Sequence, residues 1–460
     1  MEVKVRSREK TFLILVLVGA FVIRLFSLNQ SLWLDEATSV LAAKNFSFPD
    51  LIFKFSPGDF HPPLYYLVLK MWISFFGTSE IAVRVLSVIS GVATVYIVYL
   101  IGKKLSGSGV AVTAAAFLAT APLHIYYSQE ARMYSLETLL AVLVVWFFVS
   151  EKWIGLVITA AILLYTDYLP ALILIPLFLI KKKKLVLPFI GVLLLLLPWF
   201  PIFLNQLQNG LAVHSNAPNW WVTLGKTNFK ELALVPVKFM LGRISFYNKS
   251  LYAATVLGSG AIFGTALFGT LRKWQKARPL WLLFLFPILA AAALGLYISV
   301  FSYFRLLFVL PLFYLLVAYG TQNLGARWFK PLLAGILFIN LTASSLYLFT
   351  PRFHREDWKS AVSWLEQDAG QKSAATLFVT NNQRDPYIYY SKGVPSFGPD
   401  GLGRGNFEKI YLMRYVQPIF DPQDSLRKKI ESVGYQRMAE KDFNGVTVWA
   451  YERNTYANLH

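Results

Sequence analysis

The chain contains no cysteine, so neither a disulfide framework nor a thiolate metal site can form in it. Charged residues are also scarce, at 15% of the 460 residues, and the 25 acids are outnumbered by 44 lysines and arginines. Because 56% of the residues are hydrophobic, too few polar side chains remain to cover a water-soluble protein. We therefore predict a polytopic α-helical membrane protein, in which any metal ion would have oxygen or imidazole ligands.

The formal net charge of +19 raises the question of nucleic acid as a partner. The basic residues, however, occur in short blocks between apolar runs and form no stripe interleaved with aromatic residues. Such blocks mark the cytoplasmic loops of membrane proteins. We expect membrane lipids, and no nucleic acid, among the partners.

Eleven apolar runs are candidates for transmembrane helices, because about 20 apolar residues cross a bilayer. The first run follows four basic residues and lacks a small-residue cleavage site, which favours a retained anchor over a signal peptide. The runs lie near 12–28, 82–101, 109–121, 135–150, 153–166, 169–181, 185–203, 250–271, 280–300, 306–320 and 331–350.

The basic blocks also predict the orientation of these helices. Lys103, Lys104, the block 181–184 and the cluster 272–278 fall in loops on one side, which the positive-inside rule assigns to the cytoplasm. We therefore predict a protein of the cytoplasmic (inner) membrane whose N-terminus lies on the cytoplasmic side. The loops 29–81 and 204–249 lie outside, together with everything after residue 350. We expect short interfacial helices in both loops, in the second near 230–246.

The composition changes abruptly after residue 350. The alternation of helical and strand patterns predicts a small extracytoplasmic α/β domain over 351–460, following a transmembrane catalytic domain over 1–350. Asn444 and Gly445 mark a hairpin turn, and His354, Arg355 and Asp357 are interpreted as surface or capping residues. The predicted elements are helices at 357–368 and 423–433 and strands at 374–380 and 410–416.

Two adjacent acids, Asp35 and Glu36, follow the first apolar run. Adjacent carboxylates at a membrane surface repel one another, and such groups are found where a base or a cationic partner is needed. We interpret both as catalytic, with a carboxylate that deprotonates or positions an acceptor hydroxyl. The alternative is an N-cap for an interfacial helix that starts at Ala37.

His61 precedes two prolines, which can start a helix at the following residues. A histidine at a helix entrance could bind a phosphate, ligate a metal together with Asp35 or Glu36, or fill a loop. A divalent cation is therefore possible, although no cofactor is required by the sequence.

A third cluster, Tyr127 to Tyr134, contains Glu130 and Arg132 at the mouth of two spans. An arginine at this place suits an anionic headgroup, because its planar fork can contact two phosphate oxygens. A pair with Glu130 and interfacial snorkelling are the alternatives for Arg132.

Further polar residues fall at the predicted outer ends of other spans, namely Arg84, Tyr165, Asp167, Tyr168 and Arg305. Together with the clusters above, they predict a site on the outer rim for a membrane-borne phosphate beside a polar acceptor. The candidate donor-binding residues are His61, Arg84, Tyr127, Glu130, Arg132, Tyr134, Asp167 and Arg305.

At these positions the chain resembles the polyprenyl-phosphate-sugar glycosyltransferases of GT-C architecture. The similarity is greatest to proteins like the protein O-mannosyltransferases of glycosyltransferase family 39, whose relatives include the transferases that add aminoarabinose to lipid A. Relatives often have a His-Tyr-Tyr segment where this chain has Tyr165-Thr166-Asp167-Tyr168. The resemblance rests on Leu32-Trp33-Leu34-Asp35-Glu36-Ala37, on His61-Pro62-Pro63-Leu64-Tyr65-Tyr66 and on Tyr127-Ser128-Gln129-Glu130-Ala131-Arg132-Met133-Tyr134.

The resemblance implies an inverting transfer of sugar from a polyprenyl phosphate to a lipid, glycan or protein acceptor, with Asp35 as base. It also implies that cationic side chains bind the lipid phosphate. Two other classes remain as alternatives. A transporter or flippase of lipid-linked glycans would use charges at the membrane midplane, and a scaffold for envelope assembly would use the membrane part only as an anchor.

Overall fold

The structure is a computed structural model that describes residues 2–216, 219 and 225–453. Long apolar helices make up most of the chain up to residue 349, as the composition requires. These helices are α1 (Glu2–Leu25), α2 (Leu34–Asn45), α3 (Leu64–Phe76), α4 (Glu80–Ser106), α5 (Ser108–Thr120), α6 (Pro122–Ser128), α7 (Tyr134–Val149), α8 (Trp153–Leu164), α9 (Leu174–Ile180), α10 (Lys182–Leu196), α11 (Phe200–Asn216), α12 (Phe229–Leu241), α13 (Lys249–Phe268), α14 (Trp274–Leu294), α15 (Leu310–Asn323) and α16 (Ala326–Phe349).

Each of the eleven predicted spans overlaps one or two helices, so the mostly helical membrane fold is confirmed. By length and composition, four helical segments among the described residues could cross a membrane. A fifth is added if α5 and α6, which are bent by 61° at their junction, form one span. The number of eleven crossings therefore stays a prediction. The four segments are Glu80–Ser106, Lys182–Val213, Lys249–Leu294 and Ala326–Phe349.

A buried arginine stabilises the bend between α5 and α6. Arg24 near the end of α1 donates through Nη1 to the carbonyl of Ala119 at 3.0 Å, and its Nη2 lies 2.8 Å from Nδ1 of His124. A cation at a helix C-terminus satisfies carbonyls that have no partner within the helix. The bend directs α6 and the segment 129–133 toward α2.

The expected short helices are present in the two long loops. The first loop contains α2 and α3, and the second contains α12 close to the predicted place near 230–246. The second loop is only partly described, since 217–218 and 220–224 lie outside the described residues.

After residue 350 the chain forms a five-stranded sheet with flanking helices α17 (Trp358–Ala369), α18 (Asp385–Tyr390) and α19 (Ser425–Ser432). The strand order is β2-β1-β3-β5-β4, in which β1 runs parallel to β2 and β3, and β5 runs antiparallel to β3 and β4. The predicted helices and strands are thus confirmed, with ends that differ by at most three residues. The strands are β1 (Ala374–Phe378), β2 (Ser396–Phe397), β3 (Lys409–Met413), β4 (Tyr435–Phe443) and β5 (Val446–Arg453).

The predicted hairpin turn joins β4 to β5. Asn444 and Gly445 have φ of 51° and 97°, the left-handed conformation that an Asn-Gly hairpin turn uses.

The sheet region contacts the first loop of the membrane part directly. Oγ1 of Thr38 in α2 donates to Oδ2 of Asp385 at 2.7 Å, and the backbone N–H of Leu32 donates to the hydroxyl of Tyr390 at 2.8 Å. The residues after 350 therefore lie at the same end of the helical bundle as α2.

Candidate functional site

The first turn of α2 carries both adjacent acids, and it separates them. The helix begins at Leu34, with Trp33 as its N-cap, so neither acid is the cap of a helix that starts at Ala37. The side chain of Asp35 is 39% exposed, whereas that of Glu36 is 0% exposed. Only Asp35 is therefore accessible to a substrate.

Glu36 is held by four backbone and side-chain donors, of which the N–H of Trp33 is the most distant, 3.4 Å from Oε2. Arg84 donates through Nε and Nη2 to the two carboxylate oxygens at 2.8 and 2.6 Å, and the N–H of Ala131 donates to Oε1 at 2.7 Å. Burial acts to raise the pKa of Glu36, but Arg84 and Arg355 hold this pKa below its usual value. Glu36 thus stays ionised and links α2 to α4 and to the segment 129–133.

Arg84 does not lie where a donor phosphate could reach it. Its remaining donors are used within the first loop, because Nη1 contacts the carbonyls of Leu28 and Gln30 and Nη2 contacts that of Ser31. The side chain is fully buried. The expectation that Arg84 binds the phosphate is corrected by these contacts, since a buried arginine whose donors are all satisfied cannot bind a further anion.

Glu130 lies in a second buried ion pair. Its Oε2 is 2.9 Å from Nη2 of Arg355, whose Nε is 3.7 Å from Oε2 of Glu36. Burial raises the pKa of Glu130, against the opposing effect of Arg355. The interpretation of Arg355 as a surface or capping residue was wrong, because it is only 4% exposed and pairs with two acids. Asp357, by contrast, does cap α17.

Arg132 is buried beside the exposed acid. Its Nη1 donates to Oγ of Ser39 at 3.0 Å and lies 3.5 Å from the hydroxyl of Tyr66, and its Nη2 is 3.9 Å from Oδ2 of Asp35. Its Nε has no hydrogen-bond partner among the described residues. Within the described chain, Arg132 forms no ion pair with Glu130, and its burial does not fit snorkelling. It retains donor capacity for a ligand.

A row of polar side chains leads from Arg132 to a cavity. The hydroxyl of Tyr66 donates to Oδ2 of Asp59 at 2.5 Å, this oxygen is 3.5 Å from Nδ1 of His61, and Nε2 of His61 is 3.9 Å from Oδ2 of Asp167. Burial acts to raise the pKa of Asp59. His61 and Arg132 lower this pKa by more than burial raises it, so it lies below its usual value. These side chains therefore connect Asp35 with the cavity wall.

The cavity has a volume of about 340 Å³ and lies between the first loop, the segment after α8, α11 and the loop after α14. His61, Asp167 and Arg305 contribute polar groups to its wall. Most of the remaining wall is aliphatic or aromatic, for example Leu172 and Phe203. An apolar cavity with a few polar groups at one place is typical of sites for amphiphilic ligands.

A group of aromatic rings lies next to Arg132. Tyr127 packs against Tyr134 with ring centroids 5.3 Å apart, and both contact Phe304, at 6.3 and 5.6 Å. Tyr126 extends the group, 5.0 Å from Tyr127, and Tyr303 lies 5.7 Å from Phe304.

Three cations surround these rings. The ammonium of Lys238 is 5.8 Å from the Tyr303 ring, and the guanidinium carbons of Arg243 and Arg305 are 4.8 and 5.7 Å from the rings of Tyr126 and Phe304. None of the three has a carboxylate oxygen within 4 Å in the part of the chain that the structure describes. Glu231 and Glu356 act on Lys238 and Arg243 only from beyond this distance. Burial and Arg243 lower the pKa of Lys238 to about 8. Three cations without an ion pair among the described residues favour an anionic ligand.

Metal ligands do not converge in the same way. Among residues 2–216, 219 and 225–453 no group of three or more histidines and acids could hold a metal ion. The suggested combination of His61 with Asp35 or Glu36 is not formed, since the acids beside His61 are Asp59 and Asp167.

Sequence reasoning missed several residues of the site. Lys238 and Arg243 were overlooked because they lie in a loop without a recognisable motif. Asp59 and Tyr66 lie within five residues of His61 in the sequence, in a segment already recognised as a motif, so this short spacing could have indicated them.

Comparison with known proteins shows a match in the same part of the chain. Residues 60–204 match the family model described as dolichyl-phosphate-mannose-protein mannosyltransferase. No curated protein sequence matches the chain at a significant level.

Solved structures match over nearly the whole length. ArnT from Cupriavidus metallidurans in the apo state is 12% identical with a TM-score of 0.60, covering 97% of this chain and 98% of that one. The same protein bound to undecaprenyl phosphate gives a TM-score of 0.58 at 13% identity, with the same coverage. The Archaeoglobus fulgidus oligosaccharyltransferase AglB, with an inhibitory peptide and a dolichol-phosphate, gives 0.55 at 11% identity and covers 97% and 75%. The chain thus has the GT-C fold that its motifs resemble.

Proposed function

We propose that the protein is a membrane glycosyltransferase that moves a sugar from a polyprenyl phosphate to an acceptor hydroxyl. The observation that carries the proposal is the position of Asp35. It is the accessible acid of the buried cluster, it lies 3.9 Å from Arg132, and the row of side chains beyond Arg132 ends at an apolar cavity. The neighbours of the same fold include one bound to undecaprenyl phosphate and one in complex with a dolichol-phosphate, which supports a lipid-phosphate donor.

In this proposal the positive side chains hold the donor phosphate. Arg305, Arg243 and Lys238 lie around one group of aromatic rings and have no ion pair among the described residues, and Arg132 lies beside this group, 3.9 Å from Asp35. The isoprenoid chain next to the phosphate would lie in the apolar cavity, whose wall contains Arg305. A charged head and an apolar tail are thereby accommodated side by side.

Asp35 then accepts the proton of the acceptor hydroxyl as its oxygen attacks the anomeric carbon of the sugar. The bond from this carbon to the phosphate oxygen breaks, and the lipid phosphate leaves with the bonding electrons. Attack from the face opposite to the phosphate inverts the anomeric carbon. Because the cations stabilise the charge on the departing phosphate, no protonating acid is needed.

In this proposal the site lies on the outer face of the cytoplasmic membrane, with the sheet region outside, an orientation that the basic loop blocks support. Glu36, Arg84 and Glu130 position the segments that carry Asp35 and Arg132, as their buried ion pairs indicate.

The test is an assay of the purified full-length protein in detergent with a polyprenyl-phosphate sugar and candidate acceptors. The proposal expects release of the lipid phosphate together with transfer or hydrolysis of the sugar. A flippase or an assembly scaffold would leave the donor intact, so donor that remains unconsumed with every acceptor would overturn the proposal.

A further inference from the structure

Arg355 occupies a central place between the two parts of the chain. It lies in the linker between α16 and α17, and its side chain is buried among residues of the membrane part. Besides its two carboxylate partners, Nη2 lies 3.2 Å from the carbonyl of Tyr126, Nη1 lies 3.2 Å from the hydroxyl of Tyr347, and the guanidinium carbon is 4.3 Å from the Tyr126 ring.

The two acids that Arg355 contacts are next to the reacting groups in the sequence. Glu36 directly follows Asp35 in α2, and Glu130 precedes Arg132 by two residues. One guanidinium thus joins the two segments that carry the accessible acid and its cationic neighbour. Displacement of either segment would change the distance between Asp35 and Arg132.

The backbone of Arg355 is in turn fastened to the sheet region. Nδ2 of Asn444, in the turn between β4 and β5, donates to the carbonyl of Arg355 at 2.8 Å and to that of His354 at 3.1 Å. The N–H of Asp357 donates to the carbonyl of Phe443 at the end of β4, at 3.1 Å. The hairpin turn therefore holds the linker on both sides of Arg355.

We propose that Arg355 is a positioning residue through which the hairpin turn of the C-terminal sheet region sets the distance between Asp35 and Arg132. The proposal rests on the transfer reaction proposed above. It makes the sheet region a part of the active site, connected by the path from Asn444 through Arg355 to Glu36 and Glu130. Misplacement of a reacting group by about 1 Å can cost about 100-fold in rate, so loss of this connection should act on kcat.

The first experiment measures kcat and the donor KM of the full-length protein with Arg355→Met and Arg355→Lys. For Arg355→Met we expect kcat to fall about 10- to 100-fold, while the donor KM changes less than about threefold. Arg355→Lys should recover part of the loss, because an ammonium keeps the charge but not the planar fork that contacts both acids. Arg352→Met is the matched control, since Arg352 belongs to the same linker, is exposed and lies over the ring of Tyr247. Its kcat should equal that of the wild type.

A second variant addresses folding, because Arg355→Met leaves two buried acids without their partner. Asn444→Gly removes the amide donors to the linker but retains the left-handed backbone of the turn. We expect kcat to fall about three- to tenfold with an unchanged donor KM, since the linker loses both hydrogen bonds from the turn.

Two results would overturn the proposal. The first is that folded Asn444→Gly has the kcat of the wild type, while Arg355→Met either also has the kcat of the wild type or does not fold. The other is a raised donor KM at unchanged kcat in Arg355→Met, which would make Arg355 a ligand of the donor. Failure of the proposed function is distinguishable, because the wild type itself would then transfer no sugar.

Discussion

Glu36 and Arg84 form a buried ion pair in which two guanidinium nitrogens donate to the two carboxylate oxygens at 2.8 and 2.6 Å. Because of this pair, the two adjacent acids differ in accessibility and in role. Glu36 fastens α2 to α4, whereas Asp35 remains accessible beside Arg132. Two neighbouring carboxylates therefore have different roles. Glu36 stabilises the structure, and Asp35, as we propose, takes part in the reaction.

Replacement of Arg84 by methionine should destabilise the protein. Removing one partner of a buried ion pair typically costs about 3–5 kcal/mol, since the other charge stays buried without compensation. We expect a lower thermal unfolding temperature in detergent, and Arg327→Met at an exposed position serves as the control. An unchanged unfolding temperature with a raised donor KM would instead support phosphate binding by Arg84.

Replacement of Arg132 by alanine should weaken donor binding. A charge-assisted hydrogen bond contributes about 1.5–3 kcal/mol, so the donor dissociation constant should rise roughly 10- to 150-fold. The measurement is donor binding to the purified protein by isothermal titration calorimetry. Unchanged affinity would remove Arg132 from the phosphate site.

The lowered pKa of Lys238 predicts a pH dependence of donor binding. Because burial and Arg243 bring this pKa to about 8, the ammonium is charged below that pH and loses its proton as the pH rises through it. The donor KM should therefore increase between pH 7 and pH 9. Lys238→Arg should remove this increase, since a guanidinium stays charged throughout the range. The same pH profile in the wild type and in Lys238→Arg would contradict a role of Lys238.

The sequence predicted the helices and strands well because their signals are local. Apolar length locates the helices of the membrane part, and the Asn444-Gly445 turn needs only its own two residues. The clusters around Asp35, His61 and Arg132 were recognisable for the same reason, because each is a short segment with several polar or ionisable side chains.

The partners of these side chains were not predictable in the same way. Glu36 and Arg84 are 48 residues apart, and Arg355 and Glu130 are 225 apart. Packing between distant segments decides whether a charged side chain is buried in an ion pair or exposed to solvent. The spacing of residues within a short stretch of sequence does not reveal this packing. For this reason Arg84 was assigned to the phosphate and Arg355 to the surface.

The most direct test of the account compares kcat of the wild type with that of Asp35→Asn, which keeps the size of the side chain and removes its basicity. Loss of a general base typically lowers the rate about 100- to 10,000-fold. We predict a loss in this range at an unchanged unfolding temperature, while Asp50→Asn in the same loop, whose acid pairs with Lys54 at the surface, retains wild-type kcat. Sugar transfer by Asp35→Asn at the wild-type rate would contradict the assignment of Asp35 as the base.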